Sequence, residues 1–141
     1  MPYKIQIHTP RQIALFRFHG AVTVKEAKQA FLDYVEMPDF NPDFVMLSDA
    51  RAVTQVDAGF TQILSNLFGL SRPLSKFSSG ALSVVMVSDD TVFGSARMLE
   101  QALDYISKIK LRICMTEAAA MQMCGQSGQS FDALWQETCT R

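Results

Sequence analysis

The eight residues ALSVVMVS, Ala81 to Ser88, constrain the fold more than any other stretch. They lack the polar alternation of a strand with one wet face, so they describe a strand near the centre of a sheet. SDDTVFGSARML follows at once, from Ser88 to Leu99, opening on two acids and a threonine as strand-to-helix turns do. A buried strand that runs directly into a capped helix is the building unit of an α/β sheet with parallel strands.

The remaining segments fit that frame. YKIQIHT alternates, with Tyr3, Ile5 and Ile7 on one side and Lys4, Gln6 and His8 on the other. After Pro10, QIALFRFHG is apolar on both faces except at Arg17, which predicts a second, more interior strand in a hairpin with the first. Thr23 and Glu26 have the spacing of a capping box, and Val24, Ala27, Phe31 and Val35 continue a one-sided helical stripe until Pro38 and Pro42 end it. FVMLSDA, 44–50, reads as the third strand, and Phe60, Ile63, Leu64 and Leu67 as the buried face of a second helix. A third helix is expected over about 90–107, an outer strand at IKLRICMT and a short helix at TEAAAMQM.

The order is β-β-α-β-α-β-α-β-α, an α/β fold with a mixed, mostly parallel sheet of about five strands and helices mainly on one face. At 141 residues the chain matches one domain, here 1–125, followed by a tail at 126–141 with a flexible joint and a last helical turn packed by Trp135. Thirteen basic against fourteen acidic residues leave no basic excess, which argues against nucleic-acid binding. Cys114, Cys124 and Cys139 have no CxxC spacing and lie far from His8 and His19. No metal site and no cofactor are therefore expected, and the thiols read as reduced in a cytoplasmic protein.

Three constellations are candidates for function. At 100° per residue, Val92, Ala96, Leu99, Leu103 and Ile106 form the sheet-facing stripe of the third helix. Phe93, Gly94, Arg97, Gln101 and Tyr105 fall on the flank and far side, the composition of a partner-binding patch. The alternative turns Phe93 back into the core edge and pairs Arg97 with Glu100 or Gln101. Secondly, Asp49 and Arg51 stand at a strand end where α/β sheets place ligands, with Asp57 as a helix cap and Gly59 in the next turn. A loop fixed by an Asp–Arg pair explains them equally, and no matched nucleophile, nearby histidine or phosphate-binding glycine motif accompanies them. Thirdly, Leu67, Phe68, Leu70, Leu74 and Phe77 sit among Gly69, Arg72, Pro73 and Lys76. That is the pattern of an apolar flap over a pocket or against anionic lipid, or of a helix end trailing over the core.

FVMLSDARAV and SVVMVSDDTVFGSARML, with the strand order and the chain length, resemble the SpoIIAA-like branch of the STAS family, the anti-sigma-factor-antagonist fold. The likeness runs from about Tyr3 to Cys124, and Phe-Gly-x-x-Arg-Met at 93–98 is its most specific element. It implies a non-catalytic interaction module that binds a protein partner or a second copy of itself, with no enzymatic activity. Signalling members of the wider family carry a phosphorylated serine after an aspartate at the second helix; here Ala58 follows Asp57 and has no hydroxyl. The branch is also similar in architecture to lipid-binding SEC14-type domains, which implies a second reading as a lipid or apolar-ligand binder with peripheral membrane contact.

Overall fold

The computed structural model describes residues 2–57, 59–77 and 80–139. Five strands, β1 (Tyr3–His8), β2 (Ile13–Thr23), β3 (Val45–Asp57), β4 (Leu82–Met86) and β5 (Lys110–Cys114), lie side by side in chain order. β1 is antiparallel to β2 across a single 3-10 turn at Thr9–Arg11, and every later pair is parallel. The middle of the sheet is β3, with β4 beside it; the sequence had pointed to β4 as the centre because it, too, is covered on both faces.

Parallel neighbours in chain order are joined by crossovers of one hand, which brings their helices to one face. These are α1 (Val24–Val35), α2 (Phe60–Phe68) with the short α3 (Ser71–Leu74), and α4 (Asp90–Ile106). Their core joins Tyr34, Ile63, Leu67 and Leu103 to Phe16, Met46 and Leu111 of the sheet. α1 starts where the sequence placed it: Thr23 Oγ1 accepts from Glu26 N at 3.1 Å and Glu26 Oε1 accepts from Thr23 N at 2.9 Å. Asp89 caps α4 by accepting from the backbone N–H groups of Thr91 and Val92.

The opposite face is covered by α5 (Glu117–Met123) and α6 (Phe131–Cys139). Residues 126–139, expected as a tail behind a flexible joint, are part of the same body. Phe131, Leu134 and Trp135 are buried against Ile13, Leu15 and Leu47. Arg17 lies over the rings of Phe131 and Trp135, at 5.1 and 4.9 Å, and pairs with Asp132. His8 is buried and caps the 3-10 turn: its Nδ1 accepts from Arg11 N and its Nε2 bonds Glu137 Oε2 at 3.0 Å. Arg11 and His8 hold the Glu137 carboxyl below its usual range.

On the first face Tyr3 donates to Asp33, and burial together with that carboxylate pushes its hydroxyl up to about 12. An unfolded tyrosine ionises near pH 10, so above that pH the unfolded chain loses a proton that the folded chain keeps. Stability is therefore expected to fall as pH rises from about 10 to about 12, and more steeply than in a Tyr3→Phe variant. Urea midpoints measured across that range for both proteins check this; parallel slopes would contradict it.

Candidate functional site

A cavity of about 250 Å³, partly open to solvent, lies between the sheet and α1, α2 and α4. Its origin is legible residue by residue. Ser48 and Ala50 of β3 and Ser83 of β4 form the floor, and Ala27 and Ala30 of α1 and Ala96 of α4 face it. Small side chains thus meet small side chains across the helix–sheet gap, where interiors normally interdigitate large with small. Phe16, Phe31, Leu67 and Leu103 are among the walls, so the lining is almost wholly apolar.

The main polar exceptions on the helices are Lys28 of α1 and Asn66 of α2. Lys28 reaches toward the C-terminal end of α2, its Nζ 3.1 Å from where a β-carbon on Gly69 would lie. A side chain at 69 would require the ammonium to give way by a few tenths of an ångström. Lys28 forms no ion pair or hydrogen bond with any described residue. Asn66 Nδ2 donates to Gln62 O at 2.8 Å.

The apolar segment, read as a flap or as a helix end trailing over the core, takes the second form and is folded down as a wall. Leu67, Leu70, Leu74 and Phe77 are buried, and the first three line the cavity. Phe77 packs on the rings of Phe31 and Phe40. Phe68 alone among the five turns outward, 60% exposed. Gly69 is the C-cap of α2 and Pro73 lies within α3, so the segment is helical on both sides of the glycine.

The outer surface of α4 is only partly as the sequence suggested. Gly94, Gln101 and Tyr105 are exposed, and a β-carbon on Gly94 would meet nothing within 4 Å. Phe93 is half-buried against the cluster formed by Val22, Val53 and Val92, so the expectation that it faces outward is corrected. Arg97 Nη1 donates to Glu100 Oε1 at 2.6 Å and so neutralises a buried carboxylate.

Asp49 and Arg51 do not lie in a loop, because β3 continues to Asp57 and pairs with β2 as far as Thr23. Asp49 accepts from Arg51 N, Nε and Nη2 at 3.1, 2.9 and 3.0 Å. Arg51 also reaches Glu117 Oε2 at 3.3 Å, and the same oxygen accepts from Phe131 N at 3.1 Å. The pair is thus one end of a clasp that fastens α5 and α6 to the sheet. The Asp49 hydrogen bond holds the Arg51 guanidinium above its ordinary range. Asp57 is not a helix cap: the N-cap of α2 is Gly59, whose N–H donates to Gln62 Oε1. Ala58 lies outside the described residues. Among the described residues no three His, Cys, Asp or Glu side chains converge as metal ligands would, and no helix is long and apolar enough to cross a membrane.

One antiparallel hairpin strand followed by four parallel strands in chain order, with helices on both faces, defines a small mixed α/β domain built around a lateral cavity. No family model and no curated protein matches the chain. Among solved structures it is similar to an uncharacterised protein of the DUF3478 family from Shewanella loihica PV-4, which has a SpoIIAA-like fold. The two are 12% identical over 86% of this chain and 93% of that one, with a TM-score of 0.54. The chain has a SpoIIAA-like fold, as the resemblance in its sequence implied.

Proposed function

We propose that the chain is a non-catalytic module that takes up an apolar small molecule between its sheet and α1, α2 and α4. The observation that carries this reading is the cavity. An apolar space of about 150 Å³ already holds a benzene-sized ligand, and this one is about 250 Å³. A void of that size forfeits packing that one larger side chain would restore, so its upkeep needs a reason beyond folding. The outer face of α4 is a weaker candidate for the working surface. Phe93 is turned toward the core and Arg97 is engaged with Glu100, which leaves Tyr105 as the one large exposed ring on it.

Replacing Ser83 with leucine tests the proposal, because it adds apolar volume to the floor without touching a described hydrogen bond. The Ser83→Leu variant is expected to gain about 0.5–2 kcal/mol of stability from filling the cavity. It should also lose at least about tenfold in affinity for the neutral fluorophore N-phenyl-1-naphthylamine, roughly the 1.4 kcal/mol of a modest apolar contact. Ala96→Leu fills the same space from α4 and serves if the strand substitution disturbs folding. Failure of the folded wild type to take up the fluorophore would overturn the reading.

A further inference from the structure

We infer that the cavity is built for a single-chain amphiphile with a carboxylate head, a medium-chain fatty acid, whose head is held by Lys28. This rests on the apolar-ligand reading above and adds to it the chemistry of the ligand's polar end.

Two observations converge. The first is the company Lys28 keeps: it is the charged residue of a mostly apolar described lining, and none of the described carboxylates pairs with it. Glu26, two residues earlier on α1, is occupied in the capping box at Thr23 N. An ammonium beside apolar volume gains from an anion delivered there, because a charge-assisted hydrogen bond is stronger where water is partly excluded. The second is Gly69, which lacks the side chain that would crowd Nζ at the C-terminal end of α2, so the ammonium lies between α1 and the end of α2. The partial negative charge of that helix end steadies the cation there without consuming a carboxylate.

The volume sets the tail. Scaling from about 150 Å³ for a six-carbon ring, 250 Å³ accommodates a chain of roughly ten carbons. An alcohol of the same length fills the cavity equally and leaves the ammonium without a counter-charge. A cationic amphiphile is repelled. The chemistry that satisfies both ends is an alkyl chain ending in an anion, and a single charged side chain in the described lining, Lys28, suits a carboxylate.

The test is displacement of N-phenyl-1-naphthylamine from the folded chain by decanoate and by 1-decanol. In the wild type decanoate is expected to displace the fluorophore at a concentration about tenfold lower than decanol, the effect of one charge-assisted hydrogen bond. Lys28→Met should bring the two midpoints to within about twofold by weakening decanoate alone, and Lys28→Arg should restore the preference. Circular dichroism of each variant verifies the fold. Equal displacement by both ligands in the wild type, or a preference for decanoate that survives Lys28→Met, overturns the assignment of the head while the apolar cavity stands. If neither displaces a fluorophore that does bind, the ligand class is wrong. If the fluorophore itself does not bind, the reading beneath it falls.

Discussion

A chain ending at Gly125 is expected to lose its cooperative unfolding transition. Such a cut removes α6 and with it Phe131 and Leu134, both fully buried, and Trp135, 7% exposed. Burying three side chains of this size contributes on the order of 5–9 kcal/mol, which is comparable to the whole margin of a domain, about 5–15 kcal/mol. The cut would also open Ile13, Leu15 and Leu47, which have no exposure in the intact chain, to water across two neighbouring strands. The ion pairs of Arg17 with Asp132 and of Arg11 with Glu137 add little to this sum, because they are partly exposed. A gentler version, Trp135→Ala, should cost about 3–5 kcal/mol. Urea denaturation followed by far-UV circular dichroism decides the matter. A shortened chain with a sigmoidal transition near the intact midpoint would mean that α6 is an appendage after all.

That helix illustrates where a sequence stops being readable. FDALW has the right stripe, but GQSGQS before it has the composition of a linker, and nothing local says which sheet face awaits. The missed signal was Arg17, a charge inside the apolar run QIALFRFHG; a cation at such a place needs partners, and Phe131, Trp135 and Asp132 supply them. Capping and periodicity are local, which is why α1 is capped at Thr23 as read and α4 starts at Asp90, where a helix was expected. The length of β3 depends on a remote strand. Its register against β2 shifts twice, between Arg17 and His19 and between Gly20 and Ala21, and these irregularities break the alternation by which residues 51–57 would be recognised as strand. The cavity was the least legible feature. It results from Ser48, Ser83 and Ala96 meeting across three separate elements, and no window of sequence contains all three.

Asp49→Ala is expected to destabilise the chain by about 2–3 kcal/mol while leaving fluorophore uptake by the cavity unchanged. Breaking a buried ion pair by removing one partner typically costs about 3–5 kcal/mol; the lower figure applies because the Arg51 side chain is 35% exposed and keeps Glu117. The two halves of the prediction separate the two readings of this strand end. A ligand site there would make Asp49 matter to binding and little to folding, since a charge placed for a ligand is commonly a burden on the empty protein. A clasp does the reverse, and its geometry favours that outcome: every described side-chain hydrogen bond of Asp49 goes to Arg51, whose second contact leads through Glu117 to the first N–H of α6. Asp49→Ala combined with Arg51→Met should recover part of the loss, because an unpaired guanidinium is then replaced by an apolar side chain of similar length. A double variant as unstable as the sum of its parts would indicate that the two side chains act independently. Fluorophore binding lost in Asp49→Ala without a change in the urea midpoint would move the functional site from the helical face of the sheet to the end of β3.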